Sequence, residues 1–451
     1  MSNVVTALPL PHVYYEHAAK NYWVEDTRRR WIRLNEDSIR NFLNQRGYSK
    51  KCAPNAHVSA ADESLLRIQL EQNVDYAGGL AGHIAGYYEF NGCRVLVTES
   101  PRLITPVSGD WPLISRVLTG LLVDGDIDQR PYFYGWIKQA MLAYRQHRWA
   151  PGQVLALAGP REAGKSLLQG LLTEIFGGRS ADAHNYVAGR TMFNAEMFRS
   201  EHLIIEDKNA STTIIARIEL GARIKEFTAN RVQHCHGKHK DGLQLGPIWR
   251  MSISLNNEPE RMMVLPPIDP DLEDKIILLK ANHAPMPMPT ASADEKEAFM
   301  AALKRELPAF LHFVENREIP ESERSARYGV THYHHPELLA MLNQTAPEFR
   351  LLTLIDMELW HPVGVAVDRD PIPREWEGSA VSLEQRLTRD NSSVRHEARK
   401  LLTYHTACGT YLSRLQNKPA ARDRVGSRMV RGERRWTIRA PVREQPDGLP
   451  G

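Results

Sequence analysis

The sequence predicts a multidomain α/β chain in which a phosphate-binding core lies between a small α+β module and a basic C-terminal domain. Three observations carry that prediction. An apolar run, "QVLALAG" (153–159), leads directly into "GPREAGKS" (159–166) and then "LLQGLLTEIFGG", the order strand, glycine-rich loop, helix. Two further apolar runs end in polar residues, "HLIIEDK" (202–208) in acids and "WRMSISLNNEP" (249–259) in asparagines. Finally, residues 411–441 hold nine Lys and Arg against two acids, a net of +7, whereas the whole 451-residue chain carries only +3.

In the core, Gly159, Pro160, Arg161, Glu162, Ala163, Gly164, Lys165 and Ser166 follow the G-x-x-x-x-G-K-S spacing. Backbone N–H groups at the start of the following helix would cradle phosphates. Lys165 would reach the β/γ-phosphates of ATP, and the Ser166 hydroxyl would sit on Mg²⁺. Gly177-Gly178 stops that helix. Glu206 and Asp207 end a strand expected beside the P-loop strand, where acids hold Mg²⁺ and align the attacking water. Asn256, at a third strand tip, would monitor the γ-phosphate.

Composition narrows the class. With 42% hydrophobic residues the chain can bury two or three cores. It contains no run of about 18 apolar residues, and "MSNVVTALPLPHVYYEH" lacks the basic start and apolar stretch of a signal peptide. A cytoplasmic protein with no membrane span is expected. Cys52, Cys93, Cys235 and Cys408 form no C-x-x-C pair and read as reduced thiols. A net charge of +3 requires any nucleic-acid surface to be local.

The order "GPREAGKS", "LIIED", a basic segment, then "SISLNNEP" resembles the superfamily 3 helicases, AAA+ motors of small DNA viruses, phages and mobile elements. "ARIKEFTANRVQHCHGKHKDGLQLGPIW" is similar to the segment that, in papillomavirus-type members, forms a β-hairpin gripping single-stranded DNA. "GGR", "FNAEMF" and "LEDKIILL" resemble phage and prophage primase-helicase ATPases. The resemblance implies ATP-driven DNA unwinding by a hexameric ring, with a cation from the neighbouring subunit completing each site. That cation is Lys275, Arg261 or Arg327. Here the acids run Glu-Asp where many AAA+ proteins have Asp-Glu, so the division of labour between Glu206 and Asp207 stays open.

"HCHGKHKDG" (234–242) raises a choice between metal and nucleic acid. His234, Cys235 and His236 are consecutive, so a single strand cannot converge all three on one ion. Lys238, His239 and Lys240 instead read as a hairpin tip bounded by glycines, suited to phosphates and bases. "THYHHPE" (331–337) reads as a solvated loop.

The remaining segments set the expected boundaries. Residues 1–110 form an α+β module, with a hairpin and helix ending at Gly47 and a second hairpin about Asn91-Gly92. Residues 111–150 are a helical collar or the motor's own first helices, 151–285 the ATPase core, and 286–368 a helical lid or linker. In 369–441, "EWEGSAVSLEQRLTR", "SSVRHEARKLLTY" and "ACGTYLSRLQNK" read as three helices before a basic hairpin, the order of a winged helix; 442–451 is a tail. Arg428, Arg431, Arg434 and Arg435 would contact duplex DNA. No acidic metal motif marks a primase, so primase activity is not assigned; whether it is present or supplied by a separate primase or polymerase stays open. Two rival readings are a DNA-bound ATPase switch that does not unwind and a small-molecule phosphotransferase.

Overall fold

Short alternating runs near the N-terminus become strands: β1 (Val13–Glu16), β2 (Asn21–Glu25) and β3 (Trp31–Leu34), followed by α1 (Glu36–Gln45) and α2 (Ala60–Glu71). The structure is a computed structural model and describes residues 12–52, 57–188, 190–206, 214–237, 242–262, 264–266, 268, 270–360, 374–418 and 421–441. Alternate positions of a strand face one side, so Val13, Tyr22 and Val24 meet Ile39, Leu43, Leu65 and Ile68 of the helices in one apolar core. The side chain of Asn35 accepts from Ser38 N to cap α1, and Gly47, at φ +95°, follows its end. β4 (Asn73–Val74) joins β1 in parallel, giving the order β3-β2-β1-β4. A second sheet, β5-β7-β6, is made of β5 (Tyr76–Gly78), β6 (Gly86–Phe90) and β7 (Cys93–Val97). Its hairpin turns on Asn91 and Gly92 at φ +49° and +78°, the left-handed pair a two-residue turn requires.

Next come α3 (Pro112–Leu122), β8 (Val123–Asp124), β9 (Ile127–Asp128) and α4 (Arg130–Arg145). The central sheet and its connections follow: β10 (Val154–Gly159), α5 (Lys165–Ile175), β11 (Ser180–Asp182), α6 (His184–Val187), β12 (His202–Glu206) and α7 (Ile214–Ala229). They continue with β13 (Gln233–Cys235), β14 (Leu243–Leu245), β15 (Arg250–Asn256), α8 (Pro259–Met262), β16 (Ile276–Lys280) and α9 (Ala293–Asn316). The central order is β11-β12-β15-β10-β16, with every neighbouring pair parallel. This corrects one expectation: the acid-bearing strand β12 is not beside the P-loop strand, because the asparagine strand β15 lies between them.

All six residues of β10 are buried, as are the first six of β15, which is the environment of central strands covered on both faces. Leu118 of α3, Trp136 of α4, Leu172 of α5 and Phe310 of α9 share a single core with Leu155, Leu157 and Ile277 of the sheet. Residues 112–145 and 293–316 are thus packed into the same core as the P-loop strand. Trp136 Nε1 donates to Gln153 O at 2.8 Å, and Glu306 of α9 accepts from Leu113 N and Ile114 N at the start of α3.

The "THYHHPE" stretch is not a solvated loop. Leu278 N donates to Tyr333 O at 2.7 Å and His335 N to Leu278 O at 2.9 Å, laying the segment along β16 with His335 buried. The backbone polar groups of an edge strand need partners, and this segment supplies them.

Met1–Leu338 and Leu339–Gly451 separate as two units. After α10 (Pro336–Thr345) come α11 (Pro347–Leu359), β17 (Glu375–Gly378), α12 (Ala380–Thr388), α13 (Arg395–Leu401), α14 (Ala407–Gln416), β18 (Val425–Val430) and β19 (Glu433–Arg439). "EWEG" is a strand rather than the start of the first helix. Its alternation turns Trp376 toward the core and pairs β17 with β19. Leu351, Ile355 and Trp360 belong to the same core as Leu383, Leu412 and Trp436, so this unit draws in residues read as linker. No described helix is long and apolar enough to cross a membrane.

One buried histidine makes the fold acid-sensitive. His202, fully buried on β12, lies 2.8 Å from both Thr173 Oγ1 and Ser252 Oγ, and burial pushes its pKa down to about 3. Because a histidine in the unfolded chain titrates near 6.5, the stabilisation is complete above that pH and is lost as pH falls from there toward 3. At pH 5 the expected loss from this residue is about 2 kcal/mol. Denaturant unfolding at pH 7 and pH 5 should show His202→Gln losing that much less than the parent; identical pH dependence would refute the assignment.

Candidate nucleotide site and nucleic-acid elements

The C-terminal ends of β10, β15 and β12 meet at one edge of the sheet. Gly159 is in register with Asn256, and Glu206 with Ser254, two residues short of Asn256. The P-loop bends back above them through Glu162 at φ +59° and Gly164 at φ +96°. Both glycines are required by geometry. Gly164 takes a left-handed conformation, and a Cβ on Gly159 would stand 2.1 Å from Ala281 O. Arg161, Glu162 and Ser166 are exposed, Ala163 is buried, and Pro160, Gly164 and Lys165 are intermediate.

Lys165 Nζ donates to Gly159 O at 2.8 Å, to Pro160 O at 2.6 Å and to Asn256 Oδ1 at 3.3 Å. The ammonium is therefore turned onto the carbonyl oxygens of its own loop and the Asn256 amide oxygen. Among the described residues no side chain caps the N-terminus of α5, the end of a helix whose N–H groups and dipole attract an anion. These features fit a nucleoside triphosphate. Asp207, the second acid expected here, lies outside the described residues.

Lys275 does not join this cluster. It precedes β16, whose first residue Ile276 pairs with Val154, five positions before Gly159. That is roughly 16 Å along the strand. Its side chain is largely buried and its Nζ donates to Asp271 O and Asp274 Oδ1, each at 2.6 Å. Arg327, more exposed, donates to the other oxygen of Asp274 at 3.1 Å. Burial opposes the Asp274 charge, but the bonds from Lys275 and Arg327 hold its carboxyl below the ordinary range. Arg261, on α8, is exposed.

β13 and β14 pair antiparallel as expected, Cys235 opposite Leu243; Lys238, His239 and Lys240, expected at the tip between them, lie outside the described residues. Cys235 is buried and His234 exposed, the opposite facing that prevents consecutive residues from sharing an ion. Asn194 grips this strand: it accepts from His236 N at 2.7 Å, its amide donates to His234 O at 2.9 Å, and its N–H donates to His236 O at 3.1 Å. Met192 and Phe193, just before it, are 74% and 54% exposed. The base of the hairpin is held by the N-terminal region, His83 Nε2 lying 2.8 Å from Gly246 O and Ile248 N donating to Ala81 O at 2.8 Å.

In the C-terminal unit the charge is less free than its count suggests. Arg428 donates to both oxygens of Glu377 at 2.7 and 2.8 Å, Arg439 to Glu375 at 3.3 Å and Arg424 to Asp356 at 3.0 Å. The acids come from β17 and α11, outside the 411–441 window. Arg431 turns the β18–β19 hairpin at φ +51°, followed by Gly432 at φ +84°. Arg434 lies over the Trp436 ring at 5.5 Å and donates to Ser413 Oγ at 3.2 Å, and Arg435 is exposed opposite Arg428.

A group absent from the sequence reading lies at the C-terminal end of β16. Lys280 Nζ bonds Asp124, at 3.0 Å, and Glu337, while His335 Nε2 approaches Asp124 at 3.1 Å. Asp124, His335 and Glu337 offer ligand atoms within 4.8 Å of one another. Lys280 already supplies a cation to both carboxylates, and its bond holds the Asp124 carboxyl low. The arrangement ties the β8–β9 hairpin, the sheet and the start of α10 together. No spacing could have revealed it, since Asp124 and His335 are joined only by the fold.

No family model matches the sequence, and no curated protein matches it significantly. Among solved structures, the apo C-terminal region of NrS-1 is similar over 95% of this chain and 96% of its own, at 14% identity and a TM-score of 0.55. An SCCmec type IV Cch helicase covers 89% of this chain and 71% of its own at 12% identity and a TM-score of 0.29. The JCV helicase covers 51% and 62% at 13% identity and 0.23. The NrS-1 likeness is one of fold.

Proposed function

We propose that this chain is an ATP-driven DNA motor, a superfamily 3-like AAA+ helicase acting in replication of a phage, prophage or satellite element. The observation that carries the reading is the link from Lys165 to Asn256 at the sheet edge, on a strand that begins a few residues after the hairpin. Lys165 and the α5 N-terminus would hold the phosphates. Ser166, Glu206 and Asp207 would hold Mg²⁺, whose charge polarises the phosphate being transferred. Asn256 would exchange its bond to Lys165 for one to the γ-phosphate, and that change would pass along β15 to β14 and the tip.

Subunits would assemble as a hexameric ring, with Arg327 or Arg261 of a neighbour better suited than the buried Lys275 to reach the phosphates. The helices at 112–145 would serve as the motor's own first helices. Arg431, Arg434 and Arg435 would contact duplex DNA through the hairpin of the C-terminal unit, with Arg428 released from Glu377 only at a cost. A primase or polymerase would act as a separate partner.

The test uses Lys238→Ala and His239→Ala. Each is expected to lose strand displacement and DNA-stimulated hydrolysis while keeping basal hydrolysis. Loss of one lysine–phosphate contact should lower the salt slope of single-strand binding by about 0.7. Full unwinding by the double variant would refute the hairpin's role. A parent protein that hydrolyses ATP on DNA but displaces no strand would be a switch instead.

A further inference from the structure

We infer that the N-terminal module carries a second binding surface for single-stranded nucleic acid, built on an aromatic platform beside an arginine turn. The register of the first sheet sets Tyr14, Trp23 and Arg33 side by side on one face, with Trp31 on that same face opposite Glu25. The other face is the one buried against α1 and α2. Tyr14 stacks on Tyr87 of the second sheet, ring centroids 5.5 Å apart and planes only 8° from parallel, and meets Trp31 edge-on at 5.5 Å. Tyr87 keeps 44% of its surface exposed. Tyr14, Trp23 and Trp31 are packed, partly buried, against Val74, Ala77 and Leu96, and His12 borders Tyr14 and Trp31 at 5.4 and 5.3 Å. The open end of the stack is therefore Tyr87, which a planar group could extend.

The charge adjoining the platform suits a phosphate backbone. The β2–β3 turn reads "EDTRRRWIR" (25–33), four arginines against two acids, a net of +2. Asp26 builds the turn, its carboxylate accepting from Arg28 N and Arg30 N, each at 2.8 Å, and from Arg30 Nε at 3.0 Å. Arg30 is thereby spent on structure. Arg28, Arg29 and Arg33 project as exposed side chains, Arg29 from a left-handed backbone at φ +62° with only a long 3.8 Å approach to Glu25. A non-glycine residue in that conformation is uncommon and mildly strained. An exposed ring beside guanidiniums is the combination by which proteins hold single strands without reading sequence, a base stacking on the ring while the cations follow the phosphates.

The placement also gives the surface a route to the hairpin. Tyr87 is on the face of β6 turned toward the first sheet. Tyr88 and Phe90, on the opposite face, meet His83 at 5.4 and 5.3 Å between ring centroids, and His83 reaches Gly246 O. One thin sheet separates the platform from the base of β14.

Binding of fluorescein-labelled oligo(dT) to the full chain without nucleotide tests this site independently of hydrolysis. Tyr87→Ala is expected to weaken binding roughly five- to 150-fold, the range for loss of one stacked base. Tyr87→Phe should retain affinity, whereas Tyr87→Leu, which fills space but cannot stack, should behave like the alanine variant. Arg28→Glu with Arg29→Glu should lower the salt slope by about 1.4. Photo-crosslinking to an oligonucleotide bearing 5-iododeoxyuridine should label the peptide containing Tyr87 or Trp31. Parent-like binding by Tyr87→Leu, an unchanged slope in the arginine variant, or crosslinks confined to other peptides would overturn the inference. So would a particle mass that falls in Tyr87→Ala, because the platform would then contact another copy of the chain. Failure of the hairpin proposal is separable: Lys238→Ala would then bind like the parent while Tyr87→Ala would not.

Discussion

Replacement of Lys165 by alanine is expected to lower ATP turnover by about 100- to 1,000-fold or more, the scale seen when one preorganised charge-stabilising donor is removed. Phosphoryl transfer offers little covalent chemistry to a protein, so positioning and charge do most of the work. In this site the positive charge is placed by the fold: Lys165 is the first residue of α5, and its Nζ is directed at Gly159 O, Pro160 O and Asn256 Oδ1. The fold should survive the change, because those carbonyls border a partly exposed loop and water can replace the ammonium. Thermal unfolding within a few degrees of the parent, together with lost hydrolysis, is the expected pair of results. Unimpaired turnover would remove the P-loop assignment and the motor reading with it. In the same assay, whichever of Glu206→Gln and Asp207→Asn still binds nucleotide tightly while hydrolysing poorly identifies the acid that activates water.

Glu201→Ala is expected to destabilise the first unit by about 3–5 kcal/mol, the cost of leaving one member of a buried ion pair without its partner. Glu201 is fully buried, and its carboxylate accepts from Gly82 N at 2.8 Å, from Arg179 Nε at 2.9 Å and from Arg179 Nη2. Its carbonyl accepts from Arg250 N at 2.8 Å and Tyr144 OH at 3.1 Å. One residue thus joins the N-terminal loop, the start of β12 and the start of β15. Gly82 sits at φ +74°, and a Cβ there would lie 2.4 Å from Ile248 Cβ, so the loop approaches as closely as a backbone can. Denaturant midpoints for Glu201→Ala and Glu201→Gln measure the effect, with glutamine retaining the Gly82 bond and losing less. A change below about 1 kcal/mol for the alanine variant would show the pair to be dispensable, as exposed ion pairs usually are.

Much of the core was legible because its signals are contiguous. Eight residues at 159–166 carry the G-x-x-x-x-G-K-S spacing of a tight glycine-bearing loop, and the apolar runs on either side can only be a buried strand and a helix. The Asn91-Gly92 turn and the glycine pair after α5 were legible for the same reason, since left-handed conformations restrict the residue at the position itself. The C-terminal unit is less legible in its sequence. "EWEG" alternates like a strand, but it directly precedes a helical stretch and was absorbed into it. Counting charge within 411–441 overlooked Glu375, Glu377 and Asp356, which neutralise Arg439, Arg428 and Arg424 across the sheet and from α11.

By itself the sequence determined the strand, glycine-rich loop and helix around 159–166, the strand tips at Glu206 and Asn256, the pairing of 233–235 with 243–245 and the short turns, because each rests on neighbours in the chain. The tertiary structure alone decided the strand order, with β15 between the P-loop strand and the acid-bearing strand, and so brought Asn256 to Lys165. It also buried Lys275, laid "THYHHPE" along β16, tied Asp124 to Lys280 and stacked Tyr14 on Tyr87. Those outcomes depend on which strand edges pair and which faces exclude water, and partners tens to hundreds of residues apart leave no local trace of that choice.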